Sequence, residues 1–263
     1  MPAFKLSVVK YLNTVPLIWG MLHGEQQGKF DLQLSTPAQC ADALHRREVD
    51  AGIIPSIEYH RLEKAQILTG MSIAAKNQVR SVLLLSNVPI AKIRTVATDN
   101  SSRTSAALLR ILLCKFHFLS ITLTPHDPCL EVMLSRADAA LVIGDVALTY
   151  TCQVAEVYDL AAEWKRFTGL PFVFALWVGH DQHNLARLQP DFAASLAYGL
   201  SHIDDIAAAY APKLGLPPHA LKVYLTRNVD YSLDEENQRG LRLFYKLARE
   251  ASIIPTEKEL LFA

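Results

Sequence analysis

The chain has 263 residues, 51% of them hydrophobic, and balances 26 basic side chains against 26 acidic ones. Zero formal net charge speaks against nucleic acid as the main partner, and no apolar run approaches the length of a membrane span. The length accommodates one large domain or two lobes, and any attraction for an anion must be local, from a few placed cations and helix ends.

Residues 4–9 are apolar and β-branched and read as a buried strand. The strand runs into Lys10-Tyr11-Leu12-Asn13-Thr14, and Pro16 opens a helical run over 17–22. Asn13 and Thr14 therefore lie in a strand-to-helix connection, where they either cap the helix or face a ligand. A second strand over 30–35 leads to a helix starting at Thr36-Pro37, with Cys40, Ala43 and Leu44 on its buried face. A third strand over 49–55 is followed by a short helix over 56–62. Strands alternating with helices imply parallel βαβ units. Strands over 67–75 and 81–86 come next, the second opening at Arg80 and Ser81.

Asn87-Val88-Pro89 reads as a break, after which the rhythm restarts. A strand over 93–98 enters the hydroxyl-dense turn Asn100-Ser101-Ser102-Arg103-Thr104-Ser105, and a helix follows to residue 116. The open N–H groups of a helix start attract a carboxylate, although a single serine there would also serve as a cap. Further expected elements are a strand over 120–124, a helix over 128–134 and a strand over 139–143. The last stops at Gly144-Asp145, where Asp145 either caps the helix over 146–150 or meets a ligand hydroxyl. A strand over 154–158, a helix over 161–167 ending at Gly169, and a doubly apolar strand over 171–178 follow. The remainder reads as helix throughout: 185–188, 191–214, 217–226 and 234–251, the last with a core stripe of Leu241, Phe244, Tyr245 and Ala248.

Cys40, Cys114, Cys129 and Cys152 form no CxxC pair, which disfavours zinc, and Cys40 and Cys114 are expected in the core. His180 and His183 lack partners in a metal pattern. Glu58-Tyr59-His60-Arg61 has acid–base residue types, but reads equally as the solvated side of a short helix. GxSxG, P-loop and GxGxxG motifs are absent. The N-terminal run has no long apolar region with a small-residue cleavage site, so a cytoplasmic protein in a reducing compartment is expected.

Four polar turns share one local position beside a strand end: 10–14, 80–81, 100–105 and 144–145. The expected layout is an α/β fold of two lobes, residues 1–88 with 178–263 and residues 89–177. Each lobe is a β-sheet flanked by helices, and the turns face one another across a ligand cleft.

In order along the chain, the segments also resemble a known family. Tyr11-Leu12-Asn13-Thr14-Val15-Pro16-Leu17 is similar to the YLNTxPL signature of the chorismate dehydratases of the futalosine route to menaquinone. Asp50-Ala51-Gly52-Ile53-Ile54-Pro55 with Glu58-Tyr59, then Val79-Arg80-Ser81-Val82, Ser102-Arg103-Thr104-Ser105, Ile143-Gly144-Asp145 and Thr168-Gly169-Leu170-Pro171-Phe172-Val173, match in order. Departures are Ala75-Lys76-Asn77-Gln78, where a Ser-x-Gly-Pro-like turn is expected, and Lys10, where a small polar residue is common.

The resemblance implies a type II periplasmic-binding-protein fold used as an enzyme. The reaction would be cofactor-independent and metal-free, dehydrating the dicarboxylate chorismate to 3-[(1-carboxyvinyl)oxy]benzoate. Asn13 and Ser81 would be catalytic, with Tyr11, Thr14, Arg80, Ser102, Arg103, Thr104, Ser105, Gly144 and Asp145 binding substrate. Rival readings are a non-catalytic binding protein for an organic anion, an effector-sensing domain, and the related lyase acting on cyclic dehypoxanthine futalosine. YLNTxPL is not expected in that lyase.

Overall fold

A computed structural model describes residues 4–180 and 185–263, and residues 181–183 of the His180–His183 segment lie outside them. Among the described residues the strands form two sheets. In the first, β1 (Phe4–Val9) lies parallel between β2 (Phe30–Ser35) and β3 (Ala51–Pro55). β10 (Phe172–His180) runs antiparallel between β3 and β4 (Ala65–Ala75), and β11 (Asp230–Leu233) closes the far edge against β4. In the second sheet, β6 (Thr95–Asp99) lies parallel between β7 (Thr122–His126) and β8 (Ala139–Ile143). β5 (Val82–Ser86) runs antiparallel between β8 and β9 (Glu156–Asp159).

Strand composition follows position. β3, β5 and β8 are buried at every residue, as continuous apolar runs require in sheets covered on both faces. β2 and β7 lie at edges and alternate with polar residues. Successive β5 residues face opposite layers: Leu84 joins the main core, Leu83 and Leu85 a smaller one with Met133 and Ala147.

Strand pairing moves both crossings between the lobes. β5 belongs to the second sheet and all of β10 to the first, so the chain crosses at residues 76–81 and again at 169–171. The expected boundaries at 88/89 and 177/178 cut these strands from their partners. A proline break at residue 89 marks a turn inside the second lobe rather than its start. The Trp164 indole donates to the Pro171 carbonyl at 3.0 Å, and Trp164, Phe172 and Phe244 pack edge to face around the second crossing.

Helices α1 (Val15–His23) and α2 (Pro37–His45) belong to the first lobe; α3 (Arg103–Ile111), α4 (Leu130–Arg136), α5 (Gly144–Thr149) and α6 (Leu160–Thr168) belong to the second. α2 starts in a capping box between Thr36 and Gln39. α6 starts on the Asp159 carboxylate and ends at Gly169 in the left-handed region. The single helix expected over 191–214 is two, α7 (Gln189–Ser201) and α8 (Ile203–Leu214). The break has a local cause. The Tyr198 carbonyl, which the His202 N–H would use in a continuous helix, is taken by Ser201 Oγ and His202 Nδ1, each at 2.8 Å. The His202 N–H turns to Gly199 instead. α9 (Pro218–Val223) and α10 (Glu235–Glu250) follow, with β11 between them where only helix was expected. Leu241, Phe244, Tyr245 and Ala248 of α10 are buried. Cys40 is buried, whereas Cys114 is exposed, contrary to expectation.

α1 carries the Asn13–Thr14 turn and is braced by α7. A Cβ at Gly199 would lie 2.1 Å from the Pro16 carbonyl oxygen, which is backbone and has nowhere to go. Gly199→Ala is therefore expected to lower stability by about 1–3 kcal/mol, read as a lower urea midpoint. An unchanged midpoint would show that α7 does not press on α1 there.

Candidate functional site

The two sheets present their polar turns to one shared cavity. Tyr11, Asn13 and Thr14 line it from the first lobe. Ser81, the 101–105 turn and Gly144 line it from the second. Pro37, Pro55, Ile73 and Phe174 supply an apolar wall. Arg103 is the one charged residue among the described residues lining the cavity.

Asn13 and Thr14 sit in a short 3-10 turn between β1 and α1, and neither side chain caps the helix. Thr14 Oγ1 donates to Asn13 Oδ1 at 3.3 Å. That bond takes up one acceptor site of the amide oxygen and leaves the NH2 as the donor. Ser101 Oγ donates to the buried Asp99 carboxylate at 2.7 Å, so at 3.3 Å from Tyr11 Oη it accepts from the phenol. Tyr11 thereby spans the lobes with its hydroxyl occupied. Burial raises its pKa above that of an ordinary phenol. Its ring lies on Gly144, which is at φ +61, and a Cβ there would be 2.6 Å from the ring. Glycine is needed both for the backbone and for the approach.

The start of α3 is the donor-rich end. Ser102 occupies the cap position but makes no capping bond, and its hydroxyl is buried without a partner. Ser102, Thr104 and Ser105 are at most 5% exposed. The helix start, whose first N–H groups have no intrahelical partner, thus lines the cavity with a free hydroxyl beside it, the arrangement that receives a carboxylate.

Thr104 and Arg103 are spent elsewhere. Thr104 Oγ1 accepts from the Ile57 N–H at 3.1 Å and lies 3.4 Å from Ser56 Oγ, tying α3 to the first lobe. The Arg103 guanidinium forks onto Asp42, with both bonds at 2.9 Å, and reaches Glu58 at 3.0 Å. Arg103 holds the Asp42 carboxyl below the usual range. Glu58 is buried rather than on a solvated face, and also accepts from Arg61 at 2.9 Å.

Arg80 and Asp145 were expected at the ligand, and both stand off the cavity wall. Arg80 is in the left-handed region at φ +63, which sends its exposed side chain away while its N–H donates to Asp159 at 2.6 Å. Its structural task is the turn that presents Ser81. Asp145 does not cap α5; its Oδ1 accepts from the Leu12 N–H at 3.0 Å, across the lobes. Tyr224, from the helical C-terminal part, was missed by sequence reasoning: its hydroxyl donates to Ser81 Oγ at 2.8 Å. A buried aromatic in a helical run carries no signal that would single it out.

Burial raises the Asp145 pKa, and the Leu12 N–H pulls it partly back. With the folded value above the unfolded one, the folded chain binds the extra proton between the two. Stability from this group therefore falls as pH rises through that window. Urea melts across the acidic range should show this slope in the wild type and not in Asp145→Asn, which keeps an acceptor for Leu12. Asp145→Ala, which orphans that N–H, should cost about 1–3 kcal/mol at neutral pH. Parallel curves for wild type and Asp145→Asn would contradict the assignment.

A family model for menaquinone biosynthesis matches residues 4–250. The chain is 29% identical to a chorismate dehydratase of Thermus thermophilus over 263 residues, covering 93% of this chain and 94% of that protein. It is 31% identical to a chorismate dehydratase of Campylobacter jejuni over 172 residues, covering 64% of this chain and 63% of that one. The periplasmic aliphatic sulphonate binding protein of Escherichia coli shares the fold, with a TM-score of 0.69 at 16% identity over 99% of this chain and 91% of that one. The architecture is the two-lobed periplasmic-binding-protein fold, and the chain belongs to the menaquinone biosynthesis family.

Proposed function

We propose that this chain is a chorismate dehydratase, a carbon–oxygen lyase that converts chorismate to 3-[(1-carboxyvinyl)oxy]benzoate and water in the cytoplasm. The observation that carries the reading is a cavity of neutral donors between two lobes, with the bare start of α3 and the unpartnered Ser102 hydroxyl at one end. The substrate is a doubly charged small molecule with an apolar ring, and the cavity offers hydrogen-bond donors and an apolar wall.

In the reaction a ring C–H bond and the neighbouring C–O bond break. The C–H electron pair becomes the new ring double bond, and proton and hydroxide leave as water. Charge developing at the carbon that loses its proton is delocalised onto the conjugated ring carboxylate. Donors fixed where that charge grows lower the barrier without reorganising. Ser102, Ser105 and the first N–H groups of α3 hold one carboxylate in this reading. Asn13, Thr14 and Ser81 orient the ring and its leaving hydroxyl. No His, Lys, Asp or Glu is among the described residues lining the cavity, so the substrate's own side-chain carboxylate is the proton acceptor we assign.

The same lack of a lining base suits a second reading, non-catalytic binding of an organic anion. Incubation of the purified protein with chorismate separates the two, with loss of substrate and a new aromatic product expected. Asn13→Ala and Ser81→Ala should each lower kcat/KM about a hundredfold, the effect of losing one placed donor. Near-normal turnover in both variants would remove the residue assignment, and binding without turnover would favour the second reading.

A further inference from the structure

Ser81 is 1% exposed and stands at the first crossing between the lobes, on the cavity wall. Its backbone is fixed from both sides. The Ser81 carbonyl accepts from the Gly144 N–H at 2.8 Å, and the preceding turn hangs on the Asp159 carboxylate through the Val79 and Arg80 N–H groups. Fixing the backbone leaves the hydroxyl rotor open, and a rotor that points its hydrogen the wrong way is an acceptor where the reaction needs a donor.

Tyr224 removes that freedom. α9 runs into a π-helical turn, Tyr224–Asn228, and Tyr224 is its first residue. Such wide turns re-aim side chains and recur at functional sites. The ring is 1% exposed, and its hydroxyl donates to Ser81 Oγ at 2.8 Å. An oxygen that accepts from Tyr224 must send its own hydrogen elsewhere, and the cavity is the side on which Ser81 is open. Burial raises the Tyr224 pKa far above that of a free phenol, more than the bond to Ser81 lowers it. The phenol therefore stays protonated and donates throughout the working pH range.

We propose that Tyr224 is a positioning residue of the reaction: it holds the Ser81 hydroxyl as a donor toward the substrate oxygen. This rests on the reading of the chain as a chorismate dehydratase. Tyr224 acts through Ser81, so its effect must vanish when Ser81 is gone.

The test is a double-mutant cycle of Tyr224→Phe and Ser81→Ala, with kcat and KM for chorismate and a thermal melt for each protein. Tyr224→Phe should lower kcat about tenfold to a hundredfold, the scale of a misplaced catalytic group, with KM much less affected and a melt close to wild type. Added to Ser81→Ala, it should change kcat by no more than about twofold. Equal losses in both backgrounds, or a wild-type kcat in Tyr224→Phe, would overturn the inference. If Tyr224→Phe unfolds below the assay temperature, the whole cycle is run below its melting temperature, and the same outcomes decide. A wild type inert toward chorismate sinks the underlying reading and this inference with it. An active wild type indifferent to Tyr224→Phe sinks the inference alone.

Discussion

Arg103, the first residue of α3, forks onto Asp42 and reaches Glu58, both in the first lobe. The clamp holds the start of a second-lobe helix against the opposite lobe and consumes the one cation among the described residues on the cavity wall. Thr104 reinforces it through Ile57, and the Leu12–Asp145 and Tyr11–Ser101 bonds close the other side. Exposures of 28% for Arg103 and 36% for Asp42 place this pair at the rim rather than in the core, so its value lies in geometry more than in stability. With the guanidinium neutralised, attraction for an anion passes to the helix end and the hydroxyls.

That transfer suits an elimination. A free guanidinium on a carboxylate would stabilise substrate and transition state alike, which tightens binding without speeding the chemical step. Neutral donors set in advance, in a cavity with an apolar wall, act most on the charge that grows during reaction. The orientation of the polar groups is built in pairs. Thr14 turns the Asn13 amide, Asp99 turns the Ser101 hydroxyl, and Tyr224 binds the Ser81 oxygen. Thr14 and Tyr224 each take up an oxygen of the residue they orient, whereas Asp99 takes up the Ser101 hydrogen and leaves its oxygen to accept from Tyr11.

The polar turns were legible in the sequence because their position is local grammar. A turn with a hydroxyl, an asparagine or a glycine beside a strand end leaves those groups beyond the sheet edge. Tyr11, Asn13, Thr14, Ser81, Ser102, Ser105 and Gly144 reach one cavity for that reason. Side-chain direction was not legible. A positive φ at Arg80 reverses where its guanidinium goes, and the carboxylates that occupy Arg103 lie 61 and 45 residues away. Tyr224 meets Ser81 across 143 residues, through a π-helical turn that no local pattern marks. β11 is four residues at a sheet edge between helices, too short for its alternation to register. The lobe boundaries were misread for a related reason: β5 and β10 look alike as apolar runs, and only pairing assigns each to its sheet.

The central claim is that neutral donors, not a cation, hold the dianion between the lobes. A crystal structure with 3-[(1-carboxyvinyl)oxy]benzoate bound tests it most directly. The account predicts a carboxylate on Ser102 Oγ and the first N–H groups of α3, with Arg103 still on Asp42 and Glu58. A ligand outside this cavity, or Arg103 swung away from Asp42 to meet the carboxylate, would contradict it.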